Sequence, residues 1–293
     1  QITPTRTELQ INPGEVKTFS ITVKNVTQAS VRAKVSLHDF ESDGLSGDPK
    51  IIVDPQQERS PSSLEPFMKG LEDISLNPGE SKVVTLTLDA PADAAPGAYY
   101  GAVRFTATPD FEEQSSDDRQ VTLTASVASL ILVEVSGDIT KQIQVRSTKV
   151  ERQTKEGFKA GSFFMQPPSH LAVEIKNNGN SFSKPFGRVS IMKGSKEVYA
   201  YEINAKDPRG NILPKSVRIF RDEIKNVNSF GRYTANISVS HGDGGEILTQ
   251  SVSFWYVPAW VIAVIVILLV AIVVGGYFIY KKKFARNRRA GRR

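Results

Sequence analysis

The sequence predicts an all-β ectodomain of two tandem Ig-like β-sandwich domains, followed by one transmembrane α-helix and a short basic tail. Three observations predict it. Apolar and polar residues alternate with period two along most of the first 256 residues, as in Phe19-Ser20-Ile21-Thr22-Val23 and Leu171-Ala172-Val173-Glu174-Ile175. Clusters of Pro, Gly, Asn and Asp break these runs at short intervals. A single uncharged stretch, Trp260 to Tyr280, then precedes a cluster of cations. Alternation places one face of a strand on a core, and many short strands with turn signals between them mean a sandwich or barrel.

The first sandwich is expected over residues 1–138. Within it a nine-residue pattern occurs twice. Leu9-Gln10-Ile11-Asn12-Pro13-Gly14-Glu15-Val16-Lys17 precedes the strand at Phe19–Val23, and Ile74-Ser75-Leu76-Asn77-Pro78-Gly79-Glu80-Ser81-Lys82 precedes Val83–Leu88. Proline pre-sets φ at the first central turn position, and glycine accepts positive φ at the second. Each copy therefore reads as a hairpin of strand, tight turn and strand. Tyr99-Tyr100-Gly101-Ala102-Val103-Arg104-Phe105 and Val121-Thr122-Leu123-Thr124-Ala125 read as further strands. Between them Pro109–Arg119, acidic and polar, reads as an exposed hairpin loop.

A second sandwich is expected over 139–256. It has about seven strands: Val145–Val150, Leu171–Lys176, Arg188–Met192, Val198–Ile203, Val217–Phe220, Tyr233–Val239 and Ile247–Trp255. Seven is a sandwich count.

Residues 257–280 are expected to form the membrane helix. Twenty-one residues without a charge span roughly 31 Å, the thickness of a hydrocarbon core. Trp260 stands at one end and Tyr277 and Tyr280 at the other, as in the aromatic belts of membrane interfaces. Lys281, Lys282 and Lys283 open a basic tail over 281–293. Positive flanks stay on the cytoplasmic side, so the sandwiches are expected outside the plasma membrane. The start, Gln1-Ile2-Thr3-Pro4, lacks an apolar export segment, and the chain is expected to begin near a signal-cleavage site.

Charge and composition exclude several functions. The formal net charge is +6, but eight of the thirty-seven basic residues lie in the last thirteen positions. The remaining twenty-nine face thirty-one acids, a net of −2 over residues 1–280. A nucleic-acid reader needs a basic body, so no nucleic-acid partner is expected. With no cysteine there is no disulfide, thiol catalysis or Cys-bound metal. A disulfide-free exported β protein suits a bacterial surface. The histidines His38, His170 and His241 are scattered without metal spacing, and no nucleophile, phosphate-loop or zinc motif occurs. The chain is therefore read as not an enzyme, with no catalytic residue, metal, cofactor or small-molecule substrate.

Two surface features are candidates for binding. One is the loop from Asp39 to Met68, long enough to be functional. Its Asp39, Asp43 and Asp48 offer oxygen ligands, although the EF-hand spacing is absent and a plain solvated turn is the simpler reading. The other is Tyr100 with Arg104, since aromatics and arginine favour binding surfaces. Neighbours on a strand point to opposite faces, so at least one of Tyr99 and Tyr100 belongs to the core.

The repeated N-P-G-E-x-K turn, the PADAAPGAYYGAVRF segment, the loop beginning DFESDG and the closing Phe254-Trp255-Tyr256-Val257-Pro258-Ala259-Trp260 resemble bacterial cell-surface proteins with a DUF916-type domain, related to the WxL-interacting proteins. That resemblance implies a first domain linked to peptidoglycan and a membrane-proximal domain linked to WxL-type proteins. The leading expectation is thus a non-enzymatic, membrane-anchored surface scaffold or adhesin for cell-wall peptidoglycan or surface proteins. The alternative is a chaperone-like assembly factor for a surface fibre or secreted protein, working by β-strand addition at an unblunted sheet edge.

Overall fold

The computed structural model describes residues 1–54, 56–109, 125–242 and 246–290. The first sandwich holds β1 (Ile2–Thr3), β2 (Arg6–Ile11), β3 (Val16–Lys24), β4 (Val31–His38), β5 (Phe40–Ser42), β6 (Pro49–Ile51), β7 (Met68–Lys69), β8 (Ile74–Leu76), β9 (Ser81–Asp89), β10 (Gly97–Pro109) and β11 (Ala125–Val135). One sheet runs β1-β3-β9-β7 and packs on a second, β2-β11-β10-β4-β8. Alternation decides what they bury. Ile21 and Val23 of β3, Leu86 and Leu88 of β9, and Val103 and Phe105 of β10 meet in one core with Ile131 and Val133 of β11.

The repeated turn does not make hairpins. β2 belongs to one sheet and β3 to the other, and so do β8 and β9. Each Asn-Pro-Gly-Glu is a corner that carries the chain across the sandwich. Gly14 has φ +76° and Gly79 φ +74°, the type II signature. Such a turn splays its flanking strands, whereas a tight hairpin needs the mirror-image turns. Glutamate locks both corners in one way. The Asn12 N–H donates to the Glu15 carboxylate at 2.8 Å, and the Asn77 N–H to that of Glu80 at 2.7 Å.

The stretch from Asp39 to Met68 departs from a plain loop too. β5 and β6 pair as a hairpin inside it, and a 3-10 turn at Glu65–Phe67 seals Phe67 into the core. The expected loop at Pro109–Arg119 lies outside the described residues, apart from Pro109, as do four residues of the run Val121–Ala125.

The second sandwich holds β12 (Ile143–Thr154), β13 (Gly157–Ala160), β14 (Phe163–Phe164), β15 (His170–Asn177), β16 (Phe186–Lys193), β17 (Lys196–Ile203), β18 (Val217–Glu223), β19 (Gly231–Ser240) and β20 (Leu248–Tyr256). Its sheets run β13-β12-β15-β18 and β14-β20-β19-β16-β17. Tyr233 and Phe254 stack in its core, with ring centroids 5.5 Å apart.

The helix α1 (Ala259–Ala290) follows β20 after two residues. Its segment Ala259–Lys281 is long and apolar enough to cross a membrane. Trp260, Tyr277 and Tyr280 are exposed on it. The helix does not stop at the span. Its backbone continues through Lys281, Lys282 and Lys283 to Ala290, so most of the expected tail is helical.

Candidate functional site

Two features of the first sandwich bear on function: a fastened junction with the second sandwich, and a strand edge left open. The junction begins with β11. Leu130-Ile131-Leu132-Val133 is apolar at four successive positions, so both faces of the strand need cover. Ile131 and Val133 face the core. On the outer face Leu132 and Ala102 are covered by Phe40 of β5 and by Leu213 of the second sandwich. Tyr100 completes this cover. Its ring lies 5.1 Å from Phe40 and 6.0 Å from Phe182, centroid to centroid. Burial pushes the Tyr100 hydroxyl up from its ordinary pKa; hydrogen bonding with Ser62 and Ser60 opposes that, while Asp39 and Glu41 add to it.

Polar groups rim the apolar contact. Glu8 of β2 pairs with Arg6 on its own strand and with Lys184 of the second sandwich. Burial works against the Glu8 carboxylate, but its hydrogen bonds to Lys184 and Arg6 prevail, and its pKa is lowered. Arg6 also donates to the Arg209 carbonyl at 3.1 Å. Backbone joins backbone at two places: the Ala98 N–H donates to the Asn180 carbonyl, and the Ile219 N–H to the Leu45 carbonyl. Gly47, at φ +76°, lets the β5–β6 turn rest directly on Arg218, where a Cβ would come within 2.5 Å of the arginine side chain. Burial lowers the Arg218 pKa, the nearby Asp48 raises it, and Arg6 lowers it further. Beside the junction a cleft of about 450 Å3 is lined by Glu8, Glu134, Lys141, Lys184, Arg209 and His241.

The structure uses the Asp39 and Tyr100 side chains internally. The Asp39 carboxylate accepts the Ser60 N–H at 3.1 Å, and its carbonyl accepts the Ile52 N–H. The Asp43 N–H donates to the Asp48 carbonyl at 2.8 Å across the β5–β6 turn. Among the described residues no three His, Cys, Asp or Glu side chains are placed to hold a metal ion. Tyr100 is a junction residue rather than a free anchor. Arg104 stands apart from these four, donating to the Ser126 hydroxyl at 3.0 Å near the far end of β11. Asn25, which follows β3, is buried. Its amide donates to the carbonyls of Ala29, Leu76 and Asn77.

The open edge lies beside Arg104. β10 pairs with β11 along its whole length, Ala125 to Val135. On the other side β2 pairs with Leu130 to Val135 only. The Leu130 N–H reaches the Thr5 carbonyl, and the Ser129 hydroxyl donates to the Pro4 carbonyl at 2.8 Å. Beyond that, no strand among the described residues pairs with Ala125-Ser126-Val127-Ala128 on this side. The segment has no Lys, no Pro and no bulge, and Val127 is 40% exposed. In the sequence the apolar alternation continues upstream through Leu123 and Val121, outside the described residues. That alternation was the one signal of this edge. Where β2 stops pairing was not legible.

No protein-family model matches the chain, and no curated protein matches it. Solved structures similar to it include the Class 5 fimbriae chaperone CfaA, at 14% identity and a TM-score of 0.39 over 88% of this chain and 99% of that one. The Escherichia coli chaperone DraB is 14% identical, with a TM-score of 0.36 over 87% and 96% of the two chains. The Pseudomonas aeruginosa chaperone CupB2 is 12% identical, with a TM-score of 0.37 over 85% and 97%. Scores this low describe a loose likeness, and the functional argument below rests on the chain's own geometry. The leading expectation, a scaffold or adhesin binding peptidoglycan, is nevertheless corrected. CfaA is described as a fimbriae chaperone, and DraB and CupB2 as chaperones, the class of the alternative. Of the five residues chosen for scaffold binding, the Asp39 carboxylate accepts the Ser60 N–H and Tyr100 packs against Phe40 and Phe182, while Asp43 and Asp48 are exposed.

Proposed function

We propose that this chain is a non-enzymatic, membrane-anchored assembly factor that holds a surface or secreted protein subunit by β-strand addition. The observation that carries the reading is the edge at Ala125–Ala128, unblunted and, among the described residues, paired on one side only. A sheet edge offers a row of backbone donors and acceptors to an incoming strand, and alternate side chains supply selectivity. Native edges are commonly blunted by lysine, proline or a bulge, and this one has none of these. The fastened junction suits the role, because a platform that keeps its shape loses less entropy on capture. The cations after α1 favour a cytoplasmic C-terminus, with both sandwiches outside. Kinship with the DUF916-type surface proteins is part of the proposal and rests on the motifs quoted above.

The chain has no cysteine, so Val127→Cys gives one crosslinking handle. Val16, exposed on β3 in the opposite sheet, gives the control. In the producing cell, a crosslinker at position 127 is expected to trap a β-rich exported subunit, and one at position 16 to trap none. Val127→Lys, which blunts the edge, is expected to lower the amount of that subunit reaching the surface. Equal trapping at both positions, or an unchanged subunit level with Val127→Lys, refutes strand addition at β11.

A further inference from the structure

The end of the second sandwich nearest α1 carries apolar side chains that the fold does not cover. β14 pairs with β20 so that Phe163 stands beside Trp255, and β19 places Arg232 on the other side of Trp255. Phe163, Trp255, Met165 and Phe230 are each about half exposed, at 55%, 49%, 57% and 56%. Phe230 directly precedes Gly231, which pairs with Tyr256, the last residue of β20. Lys193 lies over Phe230, its ammonium 6.0 Å from the ring centroid, and donates to the Ser229 hydroxyl at 2.6 Å. Large aromatic side chains gathered at one end of a module mark an interaction surface.

The chain itself says what lies beneath them. Only Val257 and Pro258 separate β20 from α1. At about 3.5 Å per residue, the strand end stands within about 10 Å of the helix start. The exit is pinned as well. The Trp255 N–H donates to the Ser162 carbonyl at 2.7 Å, and the Val257 N–H to the Phe164 carbonyl at 2.8 Å, so β14 holds the strand until it leaves the sheet. Aromatic rings with one apolar and one polar side favour the headgroup layer. The charge is of the right sign for anionic lipid. Glu156 and Glu223, at this end, are paired with Lys159 and Lys225, while Lys193 and Arg232 flank the exposed rings.

We infer that this end of the second sandwich docks on the bilayer that α1 crosses. Phe163, Met165, Phe230 and Trp255 sit in the headgroup layer, and Lys193 and Arg232 face anionic phosphates. The sandwich is then seated on the membrane rather than swinging from the helix, and the open edge of β11 is held at a set height above the surface. The inference rests on α1 spanning the membrane.

The chain has two tryptophans, Trp255 and Trp260, which separate the two claims. The full chain, as Trp260→Phe and as Trp255→Phe, is reconstituted in phosphatidylcholine vesicles containing phosphatidylglycerol. Tryptophan emission is then read with acrylamide in the water and with a shallow brominated lipid in the bilayer. With Trp255 alone, the expected result is blue-shifted emission, loss of acrylamide quenching and quenching by the brominated lipid. Trp255 quenched by acrylamide, with Trp260 quenched by lipid, overturns the docking and leaves the span standing. Neither tryptophan quenched by lipid overturns both.

Discussion

The two sandwiches solve the same folding problem with matching devices and put their surplus surfaces to different uses. Each ends a strand of its first sheet on a buried asparagine that ties loops together. Asn25 follows β3 and reaches the carbonyls of Ala29, Leu76 and Asn77; Asn177 ends β15 and reaches those of Ser181 and Ile212. Each has a tyrosine corner, in which a hydroxyl donates to a carbonyl four residues back: Tyr99 to Ala95 and Tyr233 to Ser229. Each also covers the end of its last strand with a short parallel partner, β2 on β11 and β14 on β20. The differences lie outside the cores. In the first sandwich part of the outer sheet face is covered at the junction, and among the described residues the start of the last strand is paired on one side only. In the second, the parallel strand guards the exit to the helix, and aromatics crowd that end. Upstream on β20, Gln250 accepts a hydrogen bond from the Thr148 hydroxyl of β12. Among the described residues both last strands keep a stretch paired on one side only, Ala125–Ala128 of β11 and Leu248–Phe254 of β20, and the second domain adds an apolar end beside the helix.

The largest expected effect tests the paired asparagines. Asn177→Ala strands the Ser181 carbonyl and the Gly179 N–H, and leaves the Ile212 carbonyl with the Ser183 N–H alone, in a site with 0% exposure. It is expected to cost about 3 kcal/mol, because buried polar groups left unpaired lose their full desolvation energy. Asn25 makes more bonds, accepting from the Thr27 N–H and hydroxyl as well, but several of them are only partly buried. Asn25→Ala is expected to cost about 2 kcal/mol, since water replaces some of those partners. Urea unfolding of both variants ranks them. A costlier Asn25 would mean that the number of bonds, not their burial, sets the penalty.

The tyrosine corners come next. The Tyr233 hydroxyl meets the Ser229 carbonyl at 2.6 Å, with the ring buried, so Tyr233→Phe is expected to cost about 1 kcal/mol. Tyr99 meets Ala95 at 3.1 Å in an exposed bond, and Tyr99→Phe is expected to cost a few tenths of a kcal/mol. Equal losses by thermal unfolding would make the two corners equivalent and remove the contrast.

A further small effect belongs to the link between the domains. Glu8 has a lowered folded pKa, below its ordinary 4.5. Its ion pairs therefore stabilise the junction at neutral pH, and that contribution is lost as pH falls from about 4.5 through the lowered value. Because the carboxylate is partly exposed and screened, Glu8→Gln is expected to cost under about 1 kcal/mol at neutral pH. The difference from wild type in urea midpoint should vanish in acid. A difference that survives there would assign the effect to packing rather than to charge.

Much of the fold was legible in order along the chain. The seven strands expected in the second sandwich correspond to β12 and β15–β20. β13 and β14 escaped notice because four and two residues are too few to show a period. The Asn-Pro-Gly-Glu turns were legible as turns, but their role as corners was not. A turn's residues report its own dihedrals, while the sheet each arm joins depends on partners elsewhere. The candidate site was hardly legible. Asp39 and Tyr100 looked like surface residues because Phe40, Phe182 and Leu213, which cover that region, are scattered through the sequence.

From the sequence alone came the all-β character, the two kinds of turn residue, the near-neutral body and the uncharged run of α1. All of these depend on residues close in the chain, through alternation, local dihedrals and hydropathy. Tertiary structure alone decided that Ala125–Ala128 is paired on one side only among the described residues while Leu130 is held by Thr5, and that Leu45 and Ile219 join the two sandwiches. Such pairings bring together residues more than a hundred positions apart. Burial and backbone hydrogen bonding are satisfied by whichever partner the whole fold delivers, so no local pattern could have named them.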